Sequence, residues 1–239
     1  NVSARETIQP NWWKGFSDGY LNKLVSQSIE GNLDLRIAVA RVDEAGAALG
    51  QVKAARLPTA SLGTGATYQG GRNPVTGDID TSSQYTASGE LGWEIDIWGK
   101  LQKGVSARKA SYKAGEADWR ATYLTTVSRV ATTYFLIRSL DEQIGLQKQS
   151  LAAGERIYTI YSNQQREGVG SNTPVLRQQA ELNTLKRRLL DLQRERKIAE
   201  NAIATLLGTP AGSVNVPTAP LRKTVKLMNI PGGLPSDLL

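Results

Sequence analysis

Three carboxylates, Glu90, Glu94 and Asp96, occupy even positions in residues 84–96, in phase with Gln84, Thr86 and Ser88. Odd positions carry Tyr85, Ala87, Leu91, Trp93, Ile95 and Ile97. A period of two is the strand period, so the carboxylates share a polar face and the apolar residues the other. Glu94 beside Asp96 is the raw material of an acid–base pair of the kind used in glycoside hydrolysis. Nothing completes such a site. The 239 residues contain no His, the commonest general base, and no Cys. No nucleophile, base or glycine-rich phosphate loop accompanies the pair, so catalysis is not expected. Thiolate and imidazole metal sites are excluded with the Cys and His, and no cofactor is expected. Carboxylates lining a polar passage explain the pattern with fewer assumptions.

Composition narrows the class further. The net charge is +7, but Lys and Arg are dispersed among Glu and Asp along helical stretches, which disfavours nucleic acid as a partner. The runs 186–188 and 194–197 read as a solvated helix face, with Asp191 and Glu195 interspersed. No run approaches the roughly 18 apolar residues of a membrane-spanning helix. Residues 1–9 are polar and unlike a signal peptide, so a targeting segment is expected upstream or removed. Two Phe and one Met, against many Ala, Leu and Gln, point to helices packed through small side chains.

The elements that must position the carboxylates follow from periodicity and punctuation. Residues 1–16 read as extended, with Pro10, Trp12 and Trp13 pinning them to another surface. Ser17-Asp18 can cap a short helix carrying Leu21, Leu24, Val25 and Ile29 on one face, ended by Gly31-Asn32. A second helix is predicted over 33–56, with the narrow stripe Leu35, Ala38, Val42, Ala45, Leu49 and Val52, and Pro58 stops it. A first strand is predicted over 59–69 with Ala60, Leu62, Ala66 and Tyr68 on one side. Residues 70–83, holding Gly70-Gly71, Asn73-Pro74 and Gly77-Asp78, read as a long polar loop. The second strand points back, placing Tyr68 and Tyr85 at the loop end and Trp93 and Trp98 at the far end. That is the aromatic girdle arrangement of a transmembrane β-barrel with a polar lumen, although a hairpin on a soluble sheet has a similar pattern.

From 101 to 166 no Pro interrupts, and Leu124, Val127, Ala131, Tyr134, Ile137, Ile144 and Leu151 recur at helical steps. Such a helix would be about 100 Å long, with Gly115, Gly145 and Gly154 as candidate bends. Residues 167–172 form a turn, after which Thr173 caps and Pro174 opens a return helix. Its heptad seam is Val175, Leu182, Leu185, Leu189, Leu192, Ala199, Ile203 and Leu206, broken only by Arg196. Gly208 and Pro210 end it, and the Pro-rich tail is expected to pack along the helices. Two strands alone leave unpaired edges that hydrocarbon cannot satisfy, so closure must come from other chains or from more of this one.

These residues resemble a family. The segments Gly31-Asn32-Leu33-Asp34-Leu35-Arg36, Glu94-Ile95-Asp96-Ile97-Trp98-Gly99-Lys100 and 168–175 look like those of TolC-like outer-membrane efflux factors, most of all the lipoprotein type that serves resistance-nodulation-division pumps. Residues 230–239 look like the hinge before such a protein's second repeat. The resemblance implies a mainly α fold with a small β part: a long antiparallel coiled-coil hairpin plus two strands of a transmembrane β-barrel, in an oligomeric α-barrel and β-barrel channel. On that plan, 1–32 form an extended segment and a short equatorial helix, and 33–57 a helix of the periplasmic α-barrel. Residues 58–98 form the outer-membrane hairpin, 99–208 the periplasmic helical hairpin, and 209–239 the tail toward a second repeat. Family members carry two repeats and four strands per protomer and assemble as trimers. This chain holds one repeat and lacks the usual lipidated Cys, so it is expected to be half of such a protein.

The implied function is a passive exit duct of a Gram-negative outer membrane. Its partners would be its own copies, outer-membrane lipid, a periplasmic adaptor and an inner-membrane transporter of the resistance-nodulation-division class. Glu90, Glu94 and Asp96 would line the lumen, and Tyr68, Tyr85 and Trp93 would form the lipid-facing girdle. The turn with Gln165, Arg166, Gly168, Ser171 and Asn172 would be the periplasmic tip that docks on the adaptor. A periplasmic coiled-coil adaptor is the alternative; it accounts for residues 101–207 but not for the two amphipathic strands.

Overall fold

The computed structural model describes residues 11–72, 74–75 and 77–221, with only the backbone of Asp80. The expectations for residues 1–10 and 230–239 lie outside these. In chain order the elements are α1 (Gly19–Gly31), α2 (Leu33–Ala54), β1 (Thr59–Arg72), β2 (Ile79–Gly92), α3 (Lys100–Arg166) and α4 (Asn172–Leu206). They fall into two compact units, one of Asn1–Ile37 with Arg120–Leu239 and one of Ala38–Trp119.

In the first unit, α1 begins where Asp18 caps it, its Oδ1 accepting from the backbone N–H groups of Tyr20 and Leu21 at 2.8 and 3.0 Å. Leu21, Leu24 and Val25 are buried as their spacing predicts, but Ser28 is buried in place of Ile29. The Ser28 hydroxyl donates to the Leu206 carbonyl at 2.9 Å, an orphan acceptor at the end of α4. Asn32 Nδ2 donates to the same carbonyl at 2.9 Å, and its Oδ1 accepts from Leu35 N–H at 3.0 Å. One side chain thus caps both the end of α4 and the start of α2. A Cβ on Gly31 would collide with the Leu207 carbonyl, so only glycine lets the two helix ends meet.

The core gathers Trp13, Leu21, Leu24 and Val25 with Val127, Val130, Ala131, Tyr134, Ile137 and Leu140 of α3, and with Leu192, Ala199 and Ile203 of α4. The stretch Trp12–Phe16 is a short 3-10 helix rather than extended chain. Aromatic packing drives the difference: Trp13 is buried, and the Phe16 and Phe135 rings lie edge to face at 4.8 Å. In the α4 seam Val175, Leu182, Leu192, Ala199 and Ile203 are buried, with Leu185, Leu189 and Leu206 partly so. α4 starts at Asn172 with Ser171 as N-cap, slightly ahead of the expected Thr173 cap. Pro174 therefore lies inside the first turn, where its missing N–H has no intrahelical partner to lose. α3 continues unbroken through its glycines, and Gly154 instead admits Leu182 and Leu185 of α4, which a Cβ would meet at 3.1 and 3.3 Å.

In the second unit, small residues again set the helix approach. A Cβ on Gly46 would touch the Tyr112 ring at 3.4 Å, and one on Gly104 or Gly115 would meet Val52 or Val42. β1 and β2 form one antiparallel ladder from Thr59↔Gly92 to Arg72↔Ile79. The expected long loop over 70–83 shrinks to the short connection around Pro74, Val75 and Gly77, because the ladder runs on through Gly70 and Gly71. Gly77, at φ 78°, supplies the left-handed residue, and Arg72 Nε donates to its carbonyl at 2.9 Å.

The second strand correspondingly ends at Gly92, before Trp93, Glu94 and Asp96. Those three residues do not belong to the alternating strand face the sequence suggests. The reason is local: Asp96 is recruited to start α3, and a tight turn, in which Ile97 N–H donates to Ile95 O at 3.0 Å, breaks the extended run.

Candidate functional site

The ladder register sorts the ribbon into two chemically distinct faces, because directly paired residues point the same way. One face carries Ala60 with Leu91, Leu62 with Gly89, Thr64 with Ala87, Ala66 with Tyr85, and Tyr68 with Ser83. The other carries Ser61 with Glu90, Gly63 with Ser88, Gly65 with Thr86, and Thr67 with Gln84. Both faces are exposed. Leu62 is 92% accessible, Tyr85 82% and Leu91 78%, so this apolar surface has no partner within the chain's described residues. An isolated two-stranded ribbon is at best marginally stable in water, and a contiguous exposed apolar face marks lipid or a partner. From Thr59 to Tyr68 the apolar face spans roughly ten residues, the length of a tilted membrane strand. Among the described residues no helix is long and apolar enough to cross a membrane.

Of the expected site residues, Glu90 lies on the polar ribbon face opposite Ser61. Glu94 instead forms an exposed ion pair with Lys100 at 3.5 Å. Asp96 accepts from the backbone N–H groups of Gln102 and Leu101 at 2.8 and 3.2 Å. Both its oxygens are thereby occupied in capping α3, which leaves no free carboxylate pair. Tyr68 and Tyr85 share the apolar face at diagonal positions. Trp93, beyond the strand end, donates from its indole Nε1 to the Arg56 carbonyl at 3.2 Å, tying the exit of β2 to the approach to β1.

The turn between α3 and α4 is exposed throughout. Gly168 adopts φ 73°, and the N–H groups of Val169 and Gly170 both donate to the Gln164 carbonyl, at 3.0 and 3.1 Å, closing the end of α3. Arg166 reaches back to Asn163 Oδ1 at 2.6 Å. Val169 stands out at 79% exposure, a single apolar side chain at the apex. Ser171 and Asn172 begin α4, and no side-chain bond caps it.

A second polar constellation escapes the periodicity argument. Arg196, which interrupts the α4 seam and belongs to a basic run expected to be solvated, faces inward. It donates from Nε to Asp141 at 2.6 Å, from Nη1 to Glu200 at 2.6 Å and from Nη2 to the Val216 carbonyl at 2.7 Å. Arg138 donates to the Tyr134 hydroxyl at 3.0 Å, to Asp141 at 3.5 Å and to the Pro217 carbonyl. The Tyr134 hydroxyl donates to Asp18 Oδ2 at 2.5 Å, and burial followed by this bond raises its pKa, keeping it a donor. Burial opposes ionisation of Glu200, yet the hydrogen bonds from Lys197, the Val216 N–H and Arg196 outweigh it and lower its pKa. Spacing contained a signal: Arg138 with Asp141 and Arg196 with Glu200 stand one helical turn apart, each beside core positions.

Residues 24–209 match the family model described as "Outer membrane efflux protein", and the chain belongs to that family. Among curated relatives it is 29% identical to the probable outer membrane lipoprotein SilC of Salmonella typhimurium, over 86% of this chain and 44% of that protein. It is 27% identical to the cation efflux system protein CusC of Escherichia coli O157:H7, over 100% of this chain and 51% of CusC. The structure of the outer-membrane channel OprN superposes with a TM-score of 0.77 at 29% identity, covering 92% of this chain and 51% of OprN. The Campylobacter jejuni CmeC outer membrane channel gives a TM-score of 0.77 at 23% identity, covering 95% and 48%, and shows the shared fold. This chain is therefore mostly helical with one small two-stranded sheet, and it shares its fold with about half of each of these channel proteins. The chain spans about half the length of the curated relatives it matches.

Proposed function

We propose that the complete protein is the outer-membrane duct of a tripartite efflux system, a passive exit path for substrates handed over by an inner-membrane transporter and a periplasmic adaptor. The observation that carries this reading is the register-sorted ribbon, apolar on one exposed face and small and polar on the other, from which the chain passes within a few residues into α3. Such a ribbon suits closure into a barrel with lipid outside and water inside, completed by copies of the chain or by a further repeat, in a trimer. Family membership supports the same reading.

On this reading residues 58–98 are the outer-membrane part, and 33–57 with 99–208 are the periplasmic helical part. The segments 11–32 and 209–221 pack against α3 and α4 of the latter. Glu90 lines the lumen; Glu94 and Asp96 serve the turn from strand to helix at its periplasmic mouth. Tyr68, Tyr85 and Trp93 anchor the ribbon at the two lipid interfaces. Gln165, Arg166, Gly168, Ser171 and Asn172 form the tip that meets the adaptor. The partner transporter is of the resistance-nodulation-division class. No chemistry is required of the duct, and a wide polar lumen selects cargo only weakly.

Single-channel recordings in planar bilayers test the lining. Reversing Glu90 with Glu90→Lys shifts the reversal potential toward anions in a salt gradient, while Glu94→Lys, outside the ladder, shifts it less. Equal selectivity in wild type and Glu90→Lys removes Glu90 from the lumen.

A further inference from the structure

Residues 209–221 carry no charged side chain, yet the described part is held by charges. Four of its backbone groups are engaged by charged side chains of the hairpin. The Val216 carbonyl accepts from Arg196 and the Pro217 carbonyl from Arg138. The Val216 N–H donates to Glu200 at 3.0 Å and the Ala219 N–H to Asp141 at 3.2 Å. Each contact reads backbone; of the side chains, Val216, 1% exposed, inserts into the core and Val214 packs partly buried against it. Tyr20 of α1 adds a fifth tie, its hydroxyl donating to the Asn215 carbonyl at 3.2 Å.

The clasping groups are themselves cross-braced. Asp141 on α3 and Glu200 on α4 are bridged by Arg196, and Arg138 links Asp141 to Tyr134 and through it to Asp18. Three carboxylates, Asp18, Asp141 and Glu200, balance three cations, Arg138, Arg196 and Lys197. Arg138, Asp141 and Glu200 are nearly inaccessible, and only Lys197 reaches solvent. Buried, hydrogen-bonded ion pairs of this kind contribute little net stability but fix geometry, since any slip of one element leaves charges unpaired.

We propose that Arg138, Asp141, Arg196 and Glu200 form a charge clasp that locks segment 214–219 across the α3–α4 hairpin, and that acid releases the segment while the helices stay folded. The groups facing it are Asp18 and Tyr20 from α1, Tyr134 from α3 and Lys197 from α4; the segment itself contributes none. Protonating Glu200 weakens the acceptor of the Val216 N–H and neutralises one of the two carboxylates paired with Arg196. A carboxylate held below its ordinary range contributes stability above that range and loses it as pH falls through the folded value, so the clasp is closed at neutral pH.

The absence of Cys allows clean spin labelling. Labels at Thr218 and Gln193 report the clasp, and labels at Gln149 and Asn183 report the hairpin away from it. Both pairs are read in the intact chain, diluted with unlabelled copies in detergent. At about pH 7 both distance distributions are narrow; below the ordinary carboxylate range, near about pH 3, the first broadens at least about twofold, reversibly, while the second does not. Arg196→Leu broadens the first pair already at neutral pH with an unchanged helical circular-dichroism spectrum. A Thr218–Gln193 distribution that stays narrow under acid overturns the release. One that stays narrow in Arg196→Leu overturns the lock. If both pairs broaden together in acid, the event is general unfolding and the clasp is not a discrete device.

Discussion

The ribbon and the middle of the hairpin invert each other. In the ribbon, Leu62, Tyr85 and Leu91 lie bare and the exposed backbone ladder holds the shape. In the hairpin, Arg138, Asp141 and Glu200 are buried and apolar residues surround them. Each arrangement would be costly in the other's surroundings. Apolar surface facing water is unfavourable by roughly 25 cal/mol per Å², and a buried charge without its partner by several kcal/mol. The contrast is what the proposed duct requires, one chain built for two solvents. Burial alone does not tell which residues matter; the medium outside does.

The largest test removes one buried partner. Arg196→Ala removes the cation that bridges Asp141 and Glu200, leaving them only Arg138 and Lys197, and is expected to cost about 3 kcal/mol, the low end for a broken buried pair, in denaturant unfolding followed by far-ultraviolet circular dichroism. A cost below about 1 kcal/mol, the value of an exposed pair, would erase the contrast between inside and outside. Next, Leu62→Arg puts a charge on the apolar ribbon face. In lipid it costs about 2–4 kcal/mol near the bilayer midplane, read as loss of folded, heat-modifiable oligomer in vesicles. On a water-facing ribbon the same change would be neutral, and an unchanged folding yield in lipid would break the comparison. The smallest effect belongs to the junction. Asp96→Ala frays the first turn of α3, seen as faster amide exchange at Leu101 and Gln102 with the remainder of α3 unaffected.

Much of the architecture was legible because it rests on local periodicity. The caps and breaks at Asp18, Gly31-Asn32 and Gly208, and the strand pair with Tyr68 and Tyr85 on one face, all follow from neighbouring residues. The ladder limits did not. Residues 79–83 look like loop and 93–96 like strand, but pairing with β1 extends the first into the sheet, and the demands of the α3 start pull the second out. Arg196 reads as a break in the seam because a one-dimensional pattern assigns charge to solvent. Its partners Asp141 and Val216 lie far away in sequence and become neighbours only on folding.

The sequence by itself determined the kind of the four α-helices and two strands and the two faces of the ribbon, since spacing and residue type set them within a few residues, and its motifs carried the resemblance to the family. Tertiary structure alone decided which charges are buried, where the second strand ends, and why Gly31 and Asn32 stand where they do. Those outcomes depend on what approaches each group from a distant part of the chain. A long-range hydrogen bond or a desolvated ion pair has no period along the sequence to announce it.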